Sequence, residues 1–412
     1  MKIYQVGGSV RDKLMHKTPN DFDYVIVGST TEELLSLGYH QVGKNFPVFI
    51  NPINGYEYAL ARKEIKTGPK HSDFKFIFDT NITLKEDLER RDFTCNALAY
   101  DETNNTIIDY HNGQNDIKNK ILRHINSTHF VEDPLRILRL CRFAAQLDFS
   151  VAEETLALAS KMVSEDMLKY LSPERIWQEI FKALQTTNFT KFLITAKQCG
   201  ALAKILPEID ELSSVPESPE YHSEKNAFAH TILALQYAKT SSAEVKFAIL
   251  MHDLGKLKTL PQKLPIHNGH HLAGINIIKQ ICHRLKIPNT FKEFAIISCL
   301  HHCDFDYIKK LSINELVDFA SKFVKKTKLL DDFIKLCHAD FYGRQVIIND
   351  TDKQLFSEKE NILRQSVSIL QNIRASDVPN FKNIKKDKSF AQIFHQHKVD
   401  VLQKNLNFLY NI

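Results

Sequence analysis

Two acidic residues spaced by one, Asp21 and Asp23, follow a Gly7-Gly8 turn and Arg11 in the stretch "YQVGGSVRDKLMHKTPNDFDYVIVG", residues 4–28. On a strand, side chains at i and i+2 share a face, so the two carboxylates project together. Two aligned carboxylates repel unless a cation lies between them. Hard oxygen donors suit Mg²⁺, which also binds substrate phosphates. The glycines let the backbone approach a ligand closely, and a helix starting just after them turns free N–H groups toward an anion. Arg11, in the first turn of that helix, can hold a phosphate. An Asp-x-Asp pair alone reads more readily as a solvated strand entrance; the Gly-Gly-x-x-Arg-Asp turn before it reverses that reading in favour of the metal.

A second set of chemistry-bearing residues lies between 226 and 345, in "FAHTI", "MHDLGK", "HNGHH", "LHHCD" and "HADFYGR". His252 and Asp253 on a helix project about 100° apart and can reach one metal between them. His230 and Asp340 complete a His…His-Asp…Asp set, and His270 and His301 offer ligands for a second metal. Lys256 either stabilises a phosphate or faces water. A lone histidine usually serves structure; four ligands in this order argue for a site.

The elements that must position these groups follow from pattern. Glycine is scarce, 13 residues or about 3% of the chain against a usual ~7%. Eight of the 13 precede residue 114, so strands and tight turns belong to the first third and helices to the rest. "KIYQV", "FDYVIV" (22–27), "EYALAR" (57–62) and "TIIDY" (106–110) read as strands. "KEIKTGPKHSDFKF" (63–76) reads as a mobile loop, and "DYHNGQNDI" (109–117) as a loop around Gly113. From 132 the pattern is helical, and "SPERIWQEIFKAL" (172–184) carries a Ser cap and Pro at the first helical position. Residues 213–225 read as a linker, and "FKNIKKDK" as a lysine-rich stretch of the tail. In isolation, Arg90-Arg91-Asp92 reads as a surface charge cluster and Arg142 as a surface residue.

With 412 residues the chain exceeds one ordinary core. A hydrophobic content of 43% and a charged content of 25% indicate a soluble globular protein. No apolar run approaches the ~18 residues that span a bilayer, and no membrane partner is expected. The start turns polar too early for a secretory signal. Seven scattered cysteines without a CxxC point to reduced thiols in the cytoplasm. A net charge of +5 permits an anionic partner without demanding one.

"GGSVRD…DFD" resembles the signature of the nucleotidyltransferase superfamily related to DNA polymerase β. Together with "RRDFTCNALAYD" (90–101), "DYHNGQNDI", "EDPLRILRLCRF" (132–143) and "SPERIWQE" (172–179), in this order, it resembles the class II tRNA nucleotidyltransferases, the CCA-adding enzymes. The histidine set resembles the HD phosphohydrolase domain of the multifunctional bacterial branch. The resemblance implies an α+β head of the polymerase-β-like type (1–140), a mostly helical nucleotide- and tRNA-binding body (141–225), an all-α HD domain (226–345) and a helical tail (346–412). It implies template-independent CCA addition to tRNA from CTP and ATP, with Asp21 and Asp23 holding two Mg²⁺ and Gly8, Arg11, Arg91 and Arg139 on the nucleotide. For the HD domain it implies phosphatase, 2′-nucleotidase and 2′,3′-cyclic phosphodiesterase activity with Ni²⁺ or another transition metal. Nothing in the sequence decides between a monomer and a homodimer.

Within "EDPLR", Asp133 and Arg136 are three apart at a helix start and share a face. An aspartate accepts hydrogen bonds and an arginine donates them in a planar fork. Cytosine and adenine each pair an exocyclic amino donor with a ring-nitrogen acceptor; uracil and guanine present the reverse. The pair therefore complements C and A, with Glu132 placed to orient it. The alternative for the pair is a solvated salt bridge. Rival functions are a poly(A) polymerase, a partial CC- or A-adding relative, or an HD phosphohydrolase whose head merely binds RNA.

Overall fold

A computed structural model describes residues 1–19, 21–42, 48–68, 74–219, 224–344, 348–379 and 388–410. The chain forms two compact units, Met1–Ile205 and Leu206–Ile412. Among the described residues no helix is long and apolar enough to cross a membrane.

The first unit is built on β1 (Lys2–Val6), β2 (Asp23–Val27), β3 (His40–Val42), β4 (Val48–Ile50), β5 (Glu57–Leu60), β6 (Arg62–Lys66), β7 (Phe74–Phe78), β8 (Leu98–Asp101) and β9 (Thr106–Asp109). Seven of them make one mixed sheet in the order β3-β4-β5-β2-β1-β8-β9. Strand β2 runs antiparallel to β1 and parallel to β5, with Asp23 opposite Val6 and Glu57. The two-residue period sorts the strands onto two cores. Tyr4, Val6 and Val25 pack with Leu84 and Leu88 on one face, while Tyr24, Ile26, Phe49, Tyr58 and Leu60 pack on the other.

Three sheet strands, β3, β4 and β8, are additional to those read from the sequence. The segment 63–76 is not a loop in its described part: β6 and β7 pair antiparallel as a separate hairpin, from Arg62 opposite Phe78 to Lys66 opposite Phe74. Alternation over "RKEIK" and "FKFIF" is the strand signal that the flanking Gly-Pro obscured. Gly113 opens a short helix, Gly113–Lys118, instead of standing in a loop.

Helix α1 (Gly8–Leu14) follows β1 directly, and α2 (Leu84–Glu89) begins with a capping box on Thr83 and Glu86. Helix α3 (Leu135–Leu147) buries nine of its 13 residues. It packs against α4 (Pro173–Leu184), where Ser172 accepts the Arg175 N–H and Pro173 is the first helical residue.

The second unit is helical. Its centre is α5 (Ala227–Tyr237), α6 (Ala243–Met251), α7 (His270–Arg284), α8 (Asn289–Asp306) and α9 (Thr327–Gly343). Residues 213–225 are no detached linker where they are described, because Glu217 and Glu224 are buried among these helices' side chains. Most of the lysine-rich stretch, 381–387, lies outside the described residues.

Candidate functional site

Sheet and body meet in the first unit around a cavity of about 770 Å³. Asp21, just before β2, and Asp23, its first residue, both line it. Burial raises the Asp23 carboxyl, Arg91 opposes that rise, and Asp21 adds to it. Two acids crowded at a pocket wall beside an incompletely neutralising arginine fit a divalent cation.

Gly7 and Gly8 line the same cavity. Gly7 has φ +77° and ψ −136°, and a Cβ there would lie 3.0 Å from Arg91 Nη1. The turn thus needs glycine both for its backbone and for the guanidinium beside it. Arg11 is buried; its Nη1 donates to Asn96 Oδ1 (2.6 Å) and its Nε to Asp12 Oδ1 (2.9 Å). Arg91 reaches Asp87 Oδ2 at 3.5 Å, and its Nε is buried without a hydrogen-bond partner. Arg90 is bound by Asp87 and Glu64, and Asp92 is buried. The Arg90-Arg91-Asp92 cluster is therefore no surface cluster: the turn before β8 folds it inward.

Asp133, Arg136 and Arg139 line the cavity too. Asp133 Oδ1 accepts the Leu135 N–H (3.0 Å) at the start of α3, and its Oδ2 accepts from Arg175 Nη2 (3.1 Å). Arg136 donates to two main-chain carbonyls, His129 O and Arg90 O, each at 2.6 Å. Arg139 grips Asp92 Oδ2 through Nε (2.7 Å) and Nη2 (2.5 Å). Glu132 Oε2 lies 3.2 Å from Nδ1 of His129, the residue whose carbonyl accepts from Arg136. Arg142 is not a surface residue: it is buried, donates to Glu179 (2.5 Å) and Gln146 (2.6 Å), and lies 4.0 Å over the Phe143 ring. Arg175, which sequence reasoning missed, sits one turn into the capped α4; the Ser-Pro cap fixes that register, but its contact with Asp133 is 42 residues away.

The second unit gathers the histidines. His252 and Asp253 lie at the end of α6, beyond Met251, not inside the helix. His230 Nε2 is 2.8 Å from Asp340 Oδ1 and 3.9 Å from Asp253 Oδ2. His252 Nδ1 faces the Ile249 carbonyl at 2.7 Å, and its Nε2 stands 3.1 Å from Asp253 Oδ2 and 3.7 Å from Asp340 Oδ1. That Nε2 is buried without a hydrogen-bond partner. An imidazole nitrogen turned into two carboxylates with no bond geometry fits a cation held by all four residues. Burial disfavours charge on His252, but Asp253 and Asp340 outweigh it and raise its pKa to about 10.

Glu224 Oε1 lies 2.9 Å from His230 Nδ1 and holds the ring from behind. Lys256 neither faces water nor stands free: it is buried between Glu217 (2.7 Å) and Asp253 (2.9 Å). His301 does not join His270; it turns to Asp304 Oδ2 (2.7 Å) and stacks on Phe319. The neighbouring His302 meets His270 at 3.0 Å instead, since adjacent helical residues point about 100° apart.

Residues 3–123 match the family model for the Poly A polymerase head domain, and 148–212 match that for a probable RNA and SrmB-binding site of polymerase A. A multifunctional CCA protein of Vibrio vulnificus (strain YJ016) is 44% identical over 352 residues, 84% of this chain and 86% of that one. A multifunctional CCA protein of Acinetobacter baumannii (strain SDF) is 38% identical over 99% of this chain and 98% of its own. Among solved structures, the Bacillus stearothermophilus CCA-adding enzyme in complex with CTP shares the fold with a TM-score of 0.65 at 20% identity, covering 98% of this chain and 89% of that one. A Thermotoga maritima CCA-adding enzyme complexed with tRNA aligns with a TM-score of 0.57 at 18% identity, over 99% and 91% of the two chains. With relatives this similar along nearly its whole length, the chain belongs to the multifunctional CCA protein family of tRNA nucleotidyltransferases.

Proposed function

We propose that the first unit adds and repairs the 3′-terminal CCA of tRNA from CTP and ATP, without a nucleic-acid template and with release of pyrophosphate. One observation carries this reading: Asp21, Asp23, Asp133, Arg136 and Arg139 border a single cavity, so one nucleotide can touch acids and base-reading residues together. Mg²⁺ held by Asp21 and Asp23 supplies acidification of the RNA 3′-hydroxyl and neutralisation of the leaving pyrophosphate. Arg11 and Arg91 bind the triphosphate beside the Gly7-Gly8 turn, and Arg139 adds a nucleotide contact. Asp133 accepts from the exocyclic amino group of C or A, and Arg136 donates to the ring nitrogen. A mismatched U or G leaves these groups unpaired, which is the source of selectivity. The helical body holds the tRNA by shape and phosphate contacts.

The test is incorporation of each single NTP into tRNA lacking its end. Wild type should add C and A and stop; Asp133→Ala should lose about 10- to 100-fold of its discrimination against UTP and GTP. A homopolymeric A tail would mark a poly(A) polymerase and sink the assignment.

For the second unit we propose an HD phosphohydrolase, residues 226–345, with His230, His252, Asp253 and Asp340 as metal ligands. The partnerless His252 Nε2 supports it. A transition metal such as Ni²⁺ supplies the Lewis acid that makes water nucleophilic near neutral pH. His230, held by Glu224, and His252, held by the Ile249 carbonyl, each turn Nε2 toward Asp253 and Asp340. Phosphatase, 2′-nucleotidase and 2′,3′-cyclic phosphodiesterase activities follow. All seven cysteines are free, which suits work in the reducing cytoplasm. Under the same reading 1–140 is the catalytic head, 141–225 the body and 346–412 the tail.

A further inference from the structure

Helices α5 and α9 carry His230 and Asp340, and the faces that bear them continue into a second cavity of about 710 Å³. From His230, Leu233 and Tyr237 follow at i+3 and i+7; from Asp340, Gly343 and Arg344 follow at i+3 and i+4. Residues at these spacings share a helix face, and all four line the cavity. Arg344 stands about 6 Å further along the axis of α9 than Asp340. Gly343 lets the two helices close on each other, because a Cβ there would fall 2.8 Å from the Ala234 nitrogen. The volume lies within the roughly 300–1,000 Å³ that small-molecule sites occupy.

Two kinds of group form the wall. The Tyr237 ring centroid is 5.5 Å from that of Tyr342, which is backed in turn by His338 at 4.4 Å. Tyr237 is nevertheless 57% exposed, so a supported aromatic ring is presented to solvent, as in a stacking platform for a nucleobase. Lys239, Arg344 and Lys353, the last on the following helix α10 (Asp350–Gln371), supply positive charge, and no Asp or Glu lines the cavity. Lys353 meets Asp350 at 2.9 Å in an exposed pair, which costs little to give up. Arg344 Nη2 donates to Asp306 (2.7 Å) and Asp340 (3.2 Å), while Nη1 donates to no described residue and is left for an anion. A guanidinium anchored on Asp340 through one nitrogen and open at another sets an anion in the cavity beside the proposed metal ligands.

We propose that this cavity is a nucleoside monophosphate site, in which the base stacks on Tyr237 and the phosphate meets Arg344, with Lys239 and Lys353 adding charge. Binding stands on the cavity alone; that the bound nucleotide is the hydrolase's substrate rests on the hydrolase reading above.

The experiment has two arms on the full chain: photolabelling with 8-azidoadenosine 2′-phosphate followed by peptide mapping, and steady-state hydrolysis of adenosine 2′-phosphate beside glycerol 2-phosphate, which has no base. Label should fall on the peptide holding Tyr237 or Tyr342 and be competed away by adenosine 2′-phosphate. Tyr237→Ala should raise KM for adenosine 2′-phosphate about tenfold, with kcat within about twofold and KM for glycerol 2-phosphate unchanged. Tyr237→Phe should keep the wild-type KM, because stacking needs the ring and not the hydroxyl. Both variants should unfold at the wild-type temperature, since the side chain is exposed. Label confined to the first unit, an unchanged KM in Tyr237→Ala, or an equal rise for both esters overturns the proposal. Failure of the hydrolase reading shows separately, as absence of turnover in a wild-type chain that still takes the label at Tyr237 or Tyr342.

Discussion

Gly7 is where backbone and side-chain constraints coincide. Its φ of +77° lies where L side chains are strained, at about 1–3 kcal/mol, and a Cβ would press on Arg91 Nη1. Gly7→Ala should therefore weaken CTP binding about tenfold, read by nucleotide titration. Gly55→Ala is the control: φ is +72° but nothing lies within 4 Å of the added Cβ, so stability should fall and CTP affinity should not. The same scale shows what a sequence can carry. The spacing of Asp21 and Asp23 needs a strand face and nothing more, so it was legible. The burial of Arg142 against Glu179 and the grip of Arg175 on Asp133 depend on segments 37 and 42 residues apart meeting in space, and the inward turn of Arg91 depends on its place beside Gly7. The choice of His302 over His301 turns on which of two adjacent helical directions faces α7, a rotation no histidine count reveals.

Between elements, one ion pair ties α3 to the turn before β8. Burial works against the charge on Asp92, but Arg139, Asn96 and Arg136 outweigh it and hold its carboxyl at about 2. The folded chain thus gives up this proton more readily than the unfolded one, whose carboxyl titrates near 4. Its contribution is fully present above about pH 4 and is lost as the pH falls toward 2. The shift corresponds to about 2 kcal/mol. Asp92→Asn should lower the unfolding midpoint of the first unit at pH 6, and the gap from wild type should narrow as the pH is brought down to 3. A gap that stays constant over that range would mean that Asp92 acts by packing rather than by charge. Helices and the four strands with clean alternation were readable here, because capping and period are local. The hairpin of β6 and β7 was not: its polar, basic composition resembles a loop, and pairing across the hairpin is what makes it a sheet.

For the whole molecule, the separation of donor sets between two units has a functional consequence. Asp21 and Asp23 belong to Met1–Ile205, whereas His230, His252, Asp253 and Asp340 belong to Leu206–Ile412. Each set is held by contacts inside its own unit: Asp23 by pairing with β1 and β5, His230 by Glu224 and Asp340. A substitution in one set removes no ligand from the other. Asp21→Asn should therefore abolish nucleotide addition to tRNA while phosphohydrolase turnover on a 2′,3′-cyclic nucleotide stays within about twofold of wild type. His252→Ala should do the reverse, because under the proposed function each unit's chemistry would draw on a metal held by its own residues. The pair of assays also decides between this reading and its main rival. A phosphohydrolase whose head merely binds RNA would show no nucleotide addition in the wild type, leaving Asp21→Asn nothing to remove. Parallel loss of both activities in either variant would mean that the two units do not work independently, against the separation of their ligands along the chain.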